Sequence, residues 1–113
     1  MSRKEFTTFK DAFLKYQKLF GLTGYKIYFY HEPLDKSFAN ITVNQEEYVA
    51  TVRLDTSSHE ERDVAVSAKH EALHLLLYKL EDRALSRFVG QYDIYETVEE
   101  LVGKLEKLIQ EGK

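Results

Sequence analysis

Ser67-Ala68-Lys69-His70-Glu71-Ala72-Leu73-His74-Leu75-Leu76-Leu77 lies inside a longer segment, Glu60 to about Leu85, that contains no glycine or proline to stop a helix. Asp55, Thr56, Ser57 and Ser58 precede it as candidate N-caps. A long second helix is expected there, seated in the core through Ala72, Leu73, Leu76, Leu77 and Leu80.

On the N-terminal side of this helix, Phe38 to Val43 and Tyr48 to Leu54 alternate apolar and polar residues around the polar segment Asn44-Gln45-Glu46-Glu47, which reads as an antiparallel hairpin. Tyr25 to Tyr30 is a further alternating, aromatic run and a third strand; Pro33 and Asp35 mark the loop after it. From Lys4 to Phe20, Phe6, Phe9, Phe13, Leu14, Tyr16, Leu19 and Phe20 recur at steps of three and four, an amphipathic helix that Gly21 ends as its C′ residue. On the C-terminal side, Val98, Leu101, Val102, Leu105, Leu108 and Ile109 form one stripe of a third helix. Two overlapping capping boxes, Asp93 with Glu96 and Thr97 with Glu100, compete for its start. The expected architecture is a single α+β domain over residues 1–113: helix, three-stranded antiparallel sheet, long helix, C-terminal helix.

Composition narrows the chemistry. A chain of 113 residues that is 43% hydrophobic, with seven Phe, eight Tyr, one Pro and five Gly, supports one core and excludes long disorder. It has no cysteine, which removes disulfides, thiol nucleophiles and every cysteine-built metal module, so any metal must be held by His, Asp and Glu. Sixteen basic and nineteen acidic residues give a net charge of −3, which argues against an extended nucleic-acid surface. No apolar run is long enough to span a bilayer and no signal-type apolar stretch follows the N-terminus, so a cytoplasmic protein without membrane contact is expected.

His70-Glu71-Ala72-Leu73-His74 is the H-E-x-x-H pattern of zinc hydrolases. Four residues make about one helical turn, so both imidazoles leave the same face and can take two corners of a tetrahedral Zn2+ site. Glu71 lies about 100° around the helix from His70, beside the metal rather than on it, where a carboxylate can act as general base. Zinc lowers the pKa of a coordinated water to about 7, so no serine or cysteine nucleophile is needed.

A catalytic zinc needs a third protein ligand and an open fourth position. His31 and His59 read as ordinary strand-end or loop residues, while Glu96, Glu99, Glu100 and Glu106 lie on the last helix. Measured against the apolar stripe, Glu99 sits about 120° from its centre and Glu96 opposite it. Glu99 is the preferred third ligand, with Glu96 as its rival; Glu96 and Glu100 also have simple readings as capping residues. Tyr25, Tyr28, Tyr30, Tyr48, Tyr92 and Tyr95 read as packing residues, and Lys15, Lys18, Arg83 and Arg87 as solvated faces.

The run His70 to Leu77, preceded by Tyr25-Lys26-Ile27-Tyr28-Phe29 and His31-Glu32-Pro33-Leu34, resembles the small phage and bacterial zinc metallopeptidases related to SprT-like and other minimal, gluzincin-type zincins. Glu99-Glu100-Leu101-Val102-Gly103-Lys104-Leu105-Glu106 looks like their C-terminal helix, apart from Gly103, where a larger helix former is expected. The resemblance implies His70, His74 and Glu99 as zinc ligands, Glu71 as general base, and a peptide or protein substrate. The function expected is that of a small zinc-dependent metallopeptidase. The alternative is a non-catalytic zinc-containing binding module that acts on a phage or host partner protein. An active site reserved for one regulatory target is a further variant of the first reading.

Overall fold

The computed structural model describes residues 3–56, 63–85 and 90–109. Over these the chain forms α1 (Arg3–Leu19), β1 (Lys26–Glu32), β2 (Ala39–Asn44), β3 (Val49–Asp55), α2 (Val64–Leu85) and α3 (Gln91–Leu108), a small α+β arrangement. His59, Arg87 and the candidate caps Ser57 and Ser58 lie outside the described residues.

The spacing of Phe9, Phe13 and Tyr16 puts all three on the buried face of α1. The helix ends where Gly21 takes φ +73°, a conformation that carries no Cβ penalty for glycine. Leu22 N–H donates to the Gln17 carbonyl at 2.8 Å and Gly21 N–H to that of Lys18 at 3.1 Å, the paired bonds of a Schellman motif. The buried Gln17 then donates through Nε2 to the carbonyls of Leu22 and Tyr25, tying the turn to the entry of β1.

The sheet departs from the all-antiparallel expectation. Its order is β1-β3-β2: β2 and β3 form the expected antiparallel hairpin, but β1 pairs with β3 in parallel, so the sheet is mixed. Asp55, fully buried at the end of β3, is the physical reason the chain can cross from one edge to the other. Its Oδ1 accepts Leu34 N–H at 2.8 Å and its own N–H donates to the Phe38 carbonyl at 2.8 Å, so the 33–38 connection is pinned across the end of β3. On the outer face Arg53 reaches Glu32 at 3.3 Å, Asn40 at 3.2 Å and Thr42 at 3.0 Å, clipping all three strands together.

The inner face of the sheet, through Ala50, Val52 and Leu54, packs on Phe9, Phe13 and Tyr16 of α1 and on Val64, Ala68, Ala72 and Leu75 of α2. Leu73 faces the other way and meets Ile94, Val98 and Val102 of α3. Helix α2 is therefore buried on two sides. Leu76 and Leu80, expected in the core, are 39% and 58% exposed; Leu80 lines an open groove against Ile94, Val98 and Leu101 of α3 rather than a closed core. Among the described residues the helix starts at Val64, capped by Asp63, whose Oδ1 accepts the N–H groups of Ala65 and Val66.

Helix α3 also starts earlier than either capping box places it. Gly90 is its N-cap, with no side-chain cap bond, and Asp93 falls in its first turn, where a carboxylate complements the helix dipole. Its C-terminal carbonyls are held instead by α2: the buried Lys69 donates through Nζ to the carbonyls of Glu106 and Ile109, each at 3.0 Å. Gly103 sits inside α3, and a Cβ there meets nothing within 4 Å. Gly103→Ala is expected to stabilise the chain by about 0.5–1 kcal/mol, read as a raised urea midpoint with unchanged slope. Among the described residues no helix is long and apolar enough to cross a membrane.

Candidate metal centre

Helix α2 is sandwiched between the sheet and α3, and one strip of its surface runs along the seam where α3 and β2 meet it. His70 and His74, one turn apart, fall on that strip and aim their Nε2 atoms at each other, 3.2 Å apart. Glu99 of α3 closes the group, with Oε2 2.9 Å from His74 Nε2 and Oε1 3.6 Å from His70 Nε2. A tetrahedron with metal–nitrogen bonds of about 2.0–2.1 Å has edges of about 3.3 Å. The three donors stand at that spacing, and among the described residues they are the one His/Asp/Glu group close enough to hold a metal ion. Two imidazole lone pairs so close repel unless a proton or cation lies between them. Two imidazoles and a carboxylate are a donor set that suits zinc, so the residues present fit the ion.

Protonation favours the same use. Burial, reinforced by His70, holds the His74 pKa below the ordinary imidazole value, against the opposing pull of Glu99 and Glu106. Neutral imidazole is the form that ligates. His70 Nδ1 lies 2.9 Å from Glu106 Oε1. Because a carboxylate accepts, Nδ1 carries the hydrogen, and the lone pair of Nε2 is left facing His74 and Glu99.

Glu71 lines both clefts that open beside the group. One, of about 270 Å3, is bounded by Ala39, Asn40, Ile41, His70, Glu71, His74 and Glu99. The other, of about 380 Å3, is bounded by Ser37, Phe38, Ala39, Val66, Ser67, His70, Glu71 and Glu106. Burial pushes the Glu71 carboxyl up to about 7; His70 opposes this, while Glu99 and Glu106 add to it. A carboxyl poised there can both take and return a proton near neutral pH.

That shift has a measurable consequence for the metal-free protein. The folded chain keeps the Glu71 proton up to about pH 7, while the unfolded chain loses it near 4.5, so stability is fully present below pH 4.5 and falls as pH rises toward 7. The loss amounts to about 3 kcal/mol above neutrality. Glu71→Gln is expected to lack this falling limb. Urea unfolding in EDTA from pH 4 to 8 reads it as the difference between the two curves, which also removes the opposite contribution of His74.

Among the described residues β2 is an outer strand of the sheet, and its unpaired edge is the wall facing the histidines. Since Asp55 N–H bonds the Phe38 carbonyl, the antiparallel alternation turns Asn40, Thr42 and Asn44 toward β3. The backbone N–H and C=O groups of Ala39, Ile41 and Val43 therefore face the open edge, and Ala39 and Ile41 line the cleft.

Of the residues singled out in the sequence, His70, Glu71, His74 and Glu99 come together. Glu96 is exposed and outside the group, as is Glu100. His31 lies on β1, stacked on Phe6 at 4.7 Å. Glu106 is one of four glutamates on the last helix, yet it is the one that orients His70. Its signal was the seven-residue step from Glu99, two turns along the same face. No family model, curated protein or solved structure matches the chain, so the fold and the site rest on their own geometry.

Proposed function

We propose that the protein is a small zinc-dependent peptidase of the minimal zincin kind. The observation that carries this reading is the tetrahedral spacing of His70 Nε2, His74 Nε2 and the Glu99 carboxylate, with the Glu71 carboxyl in the adjoining clefts. Zinc, when bound, supplies a Lewis acid that polarises the scissile carbonyl and acidifies water. Glu71 takes the proton from the attacking water and returns it to the leaving amine. Glu106 keeps His70 in the ligating tautomer. Glu99, 58% exposed, leaves the group open toward solvent on its side, as a fourth coordination position requires.

An extended peptide pairs with the backbone groups of Ala39 and Ile41, which holds its carbonyl beside the histidines. The test is incubation of the zinc-loaded chain with a diverse mixture of unstructured peptides, read by mass spectrometry. New termini that vanish on chelation and return with zinc support the reading. A protein that binds zinc tightly and cleaves nothing overturns it in favour of a binding module.

A further inference from the structure

Resting on that reading, we infer that the cleft on the Glu106 side of His70 takes a lysine or arginine side chain of the substrate, and that Glu106 is the residue that selects it. The two edges of the His70 ring face different spaces. Nε2 looks toward His74 and Glu99, and Nδ1 toward Glu106. The larger cleft opens on this second side, so whatever fills it lies across the imidazole from the metal group and within reach of Glu71.

Its walls have a definite chemistry. Phe38, Ala39 and Val66 are apolar and suit the methylene stem of a long side chain. Ser37 and Ser67 offer hydroxyl acceptors, and Glu106 offers a carboxylate. Only Oε1 of Glu106 is engaged, by His70; Oε2 makes no hydrogen bond among the described residues. Among the described residues, none of the eight that line the cleft is lysine or arginine. Three lysines adjoin the lining residues along the chain: Lys69 is buried with Nζ on the terminal carbonyls of α3, while Lys36 and Lys107 are exposed and outside the lining. A polar cleft with one apolar wall, a half-used carboxylate and two hydroxyls complements a stem that ends in ammonium or guanidinium, and it disfavours an acidic or uncharged side chain of the same length. The peptide's own α-ammonium carries the same charge but has no stem to lie against Phe38 and Val66.

The experiment reads binding, so it stands apart from whether the chain cleaves anything. Glu71→Gln protein, with and without zinc, is titrated by NMR with acetyl-Ala-Arg-Ala-amide, with its citrulline counterpart, which keeps the shape and loses the charge, and with uncapped norleucine amide. The arginine peptide is expected to bind about tenfold tighter than the citrulline peptide and to shift the amides of Ser37, Val66 and Ser67. Adding Glu106→Gln, which retains an acceptor for His70 but no charge, should bring the two peptides level in the zinc-free titration while the fold persists. Adding Ser67→Asp instead should widen the gap. Equal binding of the arginine and citrulline peptides, shifts confined to another surface, or no binding at all overturns the assignment. Norleucine amide matching the arginine peptide would move the preference to the α-ammonium and overturn it too. Absence of peptide cleavage by the wild type would instead strike the peptidase reading and leave the cleft's preference standing.

Discussion

Zinc at a hundredfold excess over its dissociation constant is expected to raise the melting temperature of the wild-type chain by about 10 °C, and His74→Ala to lose that gain entirely. The size follows from linkage: a ligand at that excess stabilises the folded state by about 2.7 kcal/mol, and a domain near 100 residues gains roughly 4 °C per kcal/mol. The folded state alone can gain it, because the donors come from separate elements. His70 and His74 stand on α2 and Glu99 on α3, and they meet only when the two helices are docked. Glu99→Gln should lose the gain and Glu96→Gln should keep it, since Glu96 lies outside the group. Glu106→Ala should weaken zinc binding by about 10–100-fold without abolishing it, as expected for a residue that orients a ligand. Scanning calorimetry or dye-monitored melting in chelated and zinc-supplemented buffer reads all of these. A wild type indifferent to zinc, or a His74→Ala variant that responds in full, would remove the metal centre from the account.

The elements that could be read along the chain are those whose cause is local. The 3.6-residue recurrence of Phe9, Phe13 and Tyr16, the left-handed Gly21 and the polar turn between β2 and β3 each act within a few residues, and each is found where the pattern puts it. The placement of β1 is not local. Alternation marks a strand but carries no information on which neighbour it pairs with, and here the outcome depends on Asp55 meeting Leu34, twenty-one residues away. The start of α3 falls at Gly90 with no side-chain cap bond, so neither capping box marks it.

The candidate site divides the same way. His70, Glu71 and His74 share one helix, and helical geometry alone brings the two imidazoles together. Glu99 could be preferred over Glu96 by its angle to the apolar stripe, because that stripe is what docks α3 on Leu73. Glu106 needed the docked pair, since what distinguishes it is a contact to a side chain thirty-six residues earlier.

Glu71→Gln is expected to lower kcat by about 10²–10⁴ while leaving zinc affinity close to wild type. The substitution keeps the shape of the side chain and removes only its ability to exchange a proton. Glu71 is nearly as buried as the core, 7% exposed, so a change in volume there would disturb packing and confuse chemistry with folding. The same burial raises its pKa, through loss of solvation and the neighbouring carboxylates of Glu99 and Glu106. A metal cation held by His70, His74 and Glu99 would oppose that rise, so the carboxylate form would become available once the site was loaded. Two readouts then separate the roles. In the variant, zinc should still raise the melting temperature, and the metal-free protein should be more stable than wild type above pH 7, because a buried carboxylate has been replaced by a neutral amide. Turnover should fall at every pH rather than shift along the pH axis, since no side chain remains at that position to titrate. If zinc affinity drops with turnover, Glu71 is a ligand or a packing residue; if turnover survives, the proton moves through another group.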